Sequence, residues 1–157
     1  MLTIRDASGS DATAIGAITR ESAEAHVSLA PRMYRVPTMT DAVRRAERDL
    51  ADPLRVTLVA VDEAHVVGFI TYRRLPEPDP GSMVRPISAA GIGIAVAAGH
   101  RGRGVGRALM EAAEDRAARD GIELLTLDAL SQNRPAIALY GSMGYEASGL
   151  LMHRWID

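Results

Sequence analysis

The chain of 157 residues has no cysteine and no lysine. Without cysteine there can be no disulfide, no thiolate zinc site and no acyl group carried on a thiol. Without lysine there can be no catalytic lysine and no phosphate-binding P-loop, whose motif requires Gly-Lys. All 18 basic residues are arginine, set against 20 acidic ones, for a formal charge of −2. That balance offers no general attraction to nucleic acid or to an anionic membrane. Aromatic residues make up only 4% of the chain, so the core must rest on Ala, Val, Ile and Leu. No apolar run approaches the roughly 18 residues that would span a bilayer, and the first residues lack a basic segment followed by an apolar one. A cytoplasmic location and one domain over residues 1–157 are the expectations, the length being ample to bury one core.

The pattern of what is present is that of alternating strands and helices. Residues 2–5 read as a strand, and Ala14, Ile15, Ile18 and Ala25 as one face of a helix. A second helix is expected over residues 41–50, closed by Asp52 and Pro53. The β-rich runs 55–61 and 65–72 flank Asp62, Glu63 and Ala64, which predicts a hairpin. Residues 75–86 hold four prolines and read as a loop. Residues 87–96, ISAAGIGIAV, read as a small-residue strand. A helix over residues 105–120 stops at Gly121. There follow an expected strand at 122–130, a short helix at 135–143 and one or two closing strands at 147–156.

Between the strand ending at Val96 and the helix starting near Gly104 lies AAGHRGRGVGR, with glycines at 99, 102, 104 and 106. Such a turn exposes backbone amides, and the helix N-terminus behind it favours anionic oxygens. Arg101, Arg103 and Arg107 add positive charge. The dinucleotide pattern GxGxxG fails because Arg107 stands where its last glycine would be. What matches is Arg-Gly-x-Gly-x-Gly over Arg101, Gly102, Arg103, Gly104, Val105 and Gly106. This segment resembles the acetyl-CoA pyrophosphate signature of the GNAT N-acetyltransferase superfamily. The resemblance implies that the amides from Gly102 to Arg107 hold the CoA pyrophosphate. It further implies that the backbone of Ile94, Ala95 and Val96 pairs with the pantetheine arm.

A second block, LDALSQNRPAIALYGSMGY, also resembles the superfamily, through Asn133, Ala136, Tyr140, Gly144 and Tyr145. Asn133, Ile137 and Tyr140 are spaced to share one helical face. The implied fold is α/β: a mixed, twisted sheet of six to seven strands flanked by about four helices. The implied reaction moves the acetyl group of acetyl-CoA to a primary amine on a small molecule, peptide or protein. It needs a neutral amine, stabilisation of the oxyanion and a proton for the leaving thiolate. With no cysteine, direct attack is the simplest scheme. The resemblance implies that a backbone amide near Val96 polarises the thioester, that Tyr140 protonates the sulfur, and that Asn133 binds the pantetheine arm or orders water. The other reading of Tyr140 is a core tyrosine.

Many members carry a glutamate on the strand before the turn, where this chain has Ser88, Ala89 and Ala90. Asp128 stands where some members place a catalytic glutamate, and either takes the amine proton or caps a strand end. Glu24, His26 and Tyr34 lie where the family forms one wall of its acceptor site. His26, His65, His100 and His153 show no metal-ligand spacing, so no metal is expected. His100 either touches phosphate or stays solvated. Homodimers are common in the superfamily, and the run LLMHRWI offers an apolar edge for one. Two alternatives stand beside acetyl transfer: an acyl-CoA sensor of the same fold without turnover, and transfer of longer acyl groups admitted by Ala89, Ala90 and Gly91.

Overall fold

The alternating runs at 55–72 form the predicted hairpin in the computed structural model, which describes residues 1–156. Strands β2 (Arg55–Asp62) and β3 (His65–Arg74) pair antiparallel around Glu63 and Ala64, both of which take positive φ. That tight turn matches the right-handed twist of the flanking strands. Strand β1 (Thr3–Asp6) adds to β2, and β4 (Ala89–Val96) adds to β3, both antiparallel. Strand β5 (Leu124–Thr126) joins β4 in parallel, so the order is β1-β2-β3-β4-β5.

Helices cover both faces. Helix α3 (Val105–Arg119) crosses from β4 to β5 and packs Leu109, Met110 and Ala113 on Leu58, Ile70, Tyr72 and Ala90, all of them buried. Helices α1 (Ala12–Leu29) and α2 (Met39–Ala51) lie on the other face, where Ala12, Ile15 and Ala46 meet Val59. Gly16 lets α1 and α2 touch closely, since a Cβ there would lie 3.0 Å from the Val43 backbone. Thr38 caps α2 by accepting from the Asp41 amide at 3.1 Å. Helix α4 (Arg134–Ser142) follows β5.

Five strands, and not six or seven, are found among the described residues. The expected strand 122–130 is reduced to three residues, because only Leu124, Leu125 and Thr126 have partners, on Ala89, Ala90 and Gly91. The expected strand 87–96 likewise begins at Ala89. Residues 147–156 have apolar content suited to strands but no ladder partner, and Leu150, Leu151 and Met152 are exposed. No helix among the described residues is long and apolar enough to cross a membrane.

Asp11 fixes the entry to α1. It is 5% exposed, accepts from the Ser8 amide at 2.7 Å, and takes both guanidinium nitrogens of Arg5 at 2.8 and 2.9 Å. The Arg5 guanidinium holds its carboxyl well below the usual aspartate range, aided by Ser8. Asp11→Ala is expected to cost about 2–3 kcal/mol in urea unfolding, since it removes a cap and a two-toothed ion pair. A carboxylate whose folded pKa is depressed adds stability above its unfolded pKa, near 4. The stability advantage of the wild type over the variant should therefore shrink as pH falls below about 4.

Candidate active site

Strands β4 and β5 part after Gly91, so that β4 has no partner on its β5 side from residue 92 to residue 96. The opening between them is a cavity of about 680 Å³. Ile92, Gly93, Ile94, Ala95 and Val96 form one wall, and Leu127, Asp128 and Ala129 the other. Helix α4 closes the side with Asn133, Ala136, Leu139 and Tyr140, and the glycine turn closes the end.

The turn is built as its glycines require. Gly102 has φ +71° and Gly104 φ +83°, backbone that a side chain resists. Gly104 is the N-cap of α3 and supplies no side-chain cap, so the first amides of the helix are open to a ligand. Gly106 serves another need: a Cβ there would lie 3.2 Å from Leu139, so its absence lets α3 approach α4. Arg107 ties the same helices together, donating to the Ser142 hydroxyl at 2.7 Å. Arg101 folds back to donate to the Val96 carbonyl at 2.9 Å, and Glu21 of α1 accepts from the Ala98 amide at 2.7 Å. Open amides, an unpaired strand edge and an elongated cavity fit a phosphate-bearing cofactor with an extended amide arm.

Most of the residues singled out in the sequence meet here. Ile94, Ala95, Val96, Arg101, Gly102, Gly104, Gly106, Arg107, Asn133, Ala136, Tyr140 and Asp128 all line the cavity. Arg103 is exposed outside it, and Val105 turns its side chain into the core at 5% exposure. His100 does not reach the wall. Ile137, expected on the same face as Asn133 and Tyr140, is exposed, and Ala136 takes its place. Asn133 has a local duty as well, because its Oδ1 caps α4 by accepting from the Ala136 amide at 3.3 Å, leaving its NH2 group for a ligand. Asp128 is exposed and lies beyond the end of β5. The Tyr140 ring packs 6.1 Å from that of Tyr145, and burial pushes its phenol above the ordinary tyrosine range.

A second cavity, of about 470 Å³, lies under α1 and α2 and shares Ile92, Gly93, Ile94 and Ala95 with the first. Ser22 and His26 of α1 also border both. Tyr34 lines the second cavity, its ring 5.0 Å from His26, whereas Glu24 is exposed and lines neither. The His26 Nδ1–H donates to the Ser22 carbonyl at 2.8 Å, so in the neutral ring Nε2 keeps its lone pair. Arg45, Asp49, Arg55 and Arg73 also line this cavity and were not singled out in the sequence. The available signal was arginine at the ends of otherwise largely apolar strands, Arg55 opening β2 and Arg73 near the close of β3. No group of three or more His, Asp or Glu placed to hold a metal ion occurs among the described residues.

A parallel strand pair thus parts in front of a glycine-rich helix turn, and a second cavity meets the first at β4. The chain belongs to the acetyltransferase (GNAT) family, whose model matches residues 23–145. It is 47% identical over 57 residues to streptothricin acetyltransferase of Streptomyces lavendulae, a match covering 36% of this chain and 30% of that protein. A mutant of the BH1408 protein of Bacillus halodurans has the same fold, with TM-score 0.90 and 22% identity over 99% of both chains. So has AAC(6')-Iy in complex with the bisubstrate analogue CoA-S-monomethyl-acetylneamine, with TM-score 0.73 and 16% identity over 100% of this chain and 99% of that one.

Proposed function

We propose that the chain is an acetyl-CoA-dependent N-acetyltransferase that acts on primary amines by direct attack. The observation that carries this reading is the meeting of two cavities at residues 92–95 of β4, one of them bordered by the open amides at the start of α3. Acetyl-CoA bound there supplies an acetyl thioester. The amides from Gly102 to Arg107 hold its pyrophosphate, the free edge of β4 pairs with its amide arm, and the Asn133 NH2 group steadies that arm. An amide near Val96 draws electron density from the thioester oxygen. The amine nitrogen bonds to the carbonyl carbon, the carbon–sulfur bond breaks, and Tyr140 gives its phenolic proton to the departing sulfur. Burial raises the Tyr140 pKa, and the phenol carries its proton at neutral pH, as a general acid must.

Two side chains are placed to take the amine proton, Asp128 on the wall of the cofactor cavity and His26 at the border of both cavities. We assign the role first to His26, whose Nε2 is the free lone pair where acceptor and donor meet. His26→Gln is expected to lower kcat/KM at pH 7 by about ten- to a hundredfold. Asp128→Asn should change it less than about threefold on the same scale. The reverse outcome would move the base to Asp128.

The other reading is a sensor that binds acyl-CoA without turning it over, favoured by Ala89 and Ala90 where a strand carboxylate is absent. Acetyl-CoA binding in calorimetry, with no CoA thiol released by any amine, would support it.

A further inference from the structure

The second cavity carries an unusual charge arrangement for a site that receives an amine. Across the sheet, Arg55 of β2 pairs with Arg73 of β3, which pairs with Gly91 of β4. The next row on the same face is Thr57, Thr71 and Gly93, about 7 Å nearer to Ala95. Arg45 reaches in from α2. Among the described residues, only two carboxylates answer these three cations. Asp52 accepts from Arg73 Nε at 2.8 Å and lies 4.0 Å from Arg55 Nε, and Asp49 lies 3.7 Å from Arg45 and 3.8 Å from Arg55. One positive charge is left over.

The most enclosed of the three is Arg55. The Arg55 side chain is 20% exposed, against 41% for Arg73 and 71% for Arg45. Its Nε is buried and makes no hydrogen bond, and its Nη1 reaches the Thr71 hydroxyl only at 3.5 Å. A buried guanidinium with idle donors is costly unless an acceptor completes it, and its planar fork matches the two oxygens of a carboxylate. The floor in front of it is bare, because Gly91 and Gly93 project no side chain, and a Cβ at Gly93 would come 3.5 Å from Thr71 Cγ2.

We infer that the acceptor is a primary amine that also bears a carboxylate, seated on Arg55 with its amine directed over Gly93 towards Ala95 and His26. This rests on the acetyl-transfer reading and narrows its acceptor. One surplus charge is met by one carboxylate, and the same charge repels polycationic amines.

The test uses the full-length protein, acetyl-CoA and matched acceptors: α-amino acids, β-alanine and 4-aminobutyrate, each against its primary amide, with spermidine and kanamycin as polycations. CoA release should give a kcat/KM at least about tenfold higher for the best acid than for its amide, expressed mainly in KM. Arg55→Gln should bring that ratio to within about twofold of unity, with the Kd for acetyl-CoA unchanged, and Arg55→Lys, which keeps charge and stem, should restore part of it. A preference for spermidine or kanamycin, or an unchanged ratio in Arg55→Gln, would overturn the inference while leaving acetyl transfer intact. If no amine releases CoA, acetyl transfer fails instead. The carboxylate site is then judged by calorimetry with N-acetylated amino acids and 4-acetamidobutyrate, where wild-type binding at least about tenfold tighter than Arg55→Gln supports it and no binding overturns it.

Discussion

Alanine at position 104 is expected to weaken acetyl-CoA binding by about ten- to a hundredfold, equal to roughly 1.4–2.7 kcal/mol. Gly104 has φ +83° at the start of α3. A Cβ in that conformation costs roughly 1–2 kcal/mol, and the chain relieves it by rotating out of the left-handed region. The amides that follow then no longer converge on one anion. Sterics do not confuse the result, since a Cβ at position 104 would meet nothing within 4 Å. Gly99→Ala is the control: its Cβ also meets nothing, and its φ is not positive, so affinity should stay within about twofold. Calorimetric titration with acetyl-CoA reads both variants, and equal affinities would show that the pyrophosphate is held elsewhere.

Tyr140→Phe should lower kcat by about a hundredfold, the scale of a lost general acid, with the Kd for acetyl-CoA changed less than about twofold. The ring still packs beside Tyr145 and the fold loses only a hydroxyl. The pH profile adds a sign. Burial raises the Tyr140 pKa, so the wild-type enzyme keeps its acid through the ordinary tyrosine range near pH 10 and loses activity only as pH climbs through the higher value. The variant has no proton to lose there, and its residual rate should show no such fall. A variant with wild-type kcat would return Tyr140 to a packing role.

The parts of the fold and site that could be read in advance are those set by local sequence. Helix α3, its preceding turn and the β2–β3 hairpin depend on neighbouring residues: Gly102 and Gly104 for positive φ, Gly121 to end the helix, and Glu63 and Ala64 as a short connection. What escaped depends on partners distant in sequence. Residues 127–130 continue the same largely apolar run as 124–126, but β4 and this segment part after Gly91, and that divergence makes the cavity. Residues 147–156 have strand composition without a ladder. Arg55 and Arg73 lie 18 positions apart and become neighbours only through the hairpin register, which depends on a shift at Ala60 and Val61. His26 was legible only through the resemblance, as one of three residues on an expected acceptor wall, because its place between two cavities follows from how α1 lies across β4. Asn133 shows the limit of motif reading in another way, since its oxygen is committed to the α4 cap.

The central claim is that a donor held along β4 meets an amine at residues 92–95, and it is tested most directly by following CoA thiol release from acetyl-CoA as amines are added to the purified protein. The account predicts release that requires the amine, saturates with its concentration and yields the N-acetylated product by mass. Tight acetyl-CoA binding with no amine-dependent release across carboxylate-bearing, neutral and cationic amines would contradict it.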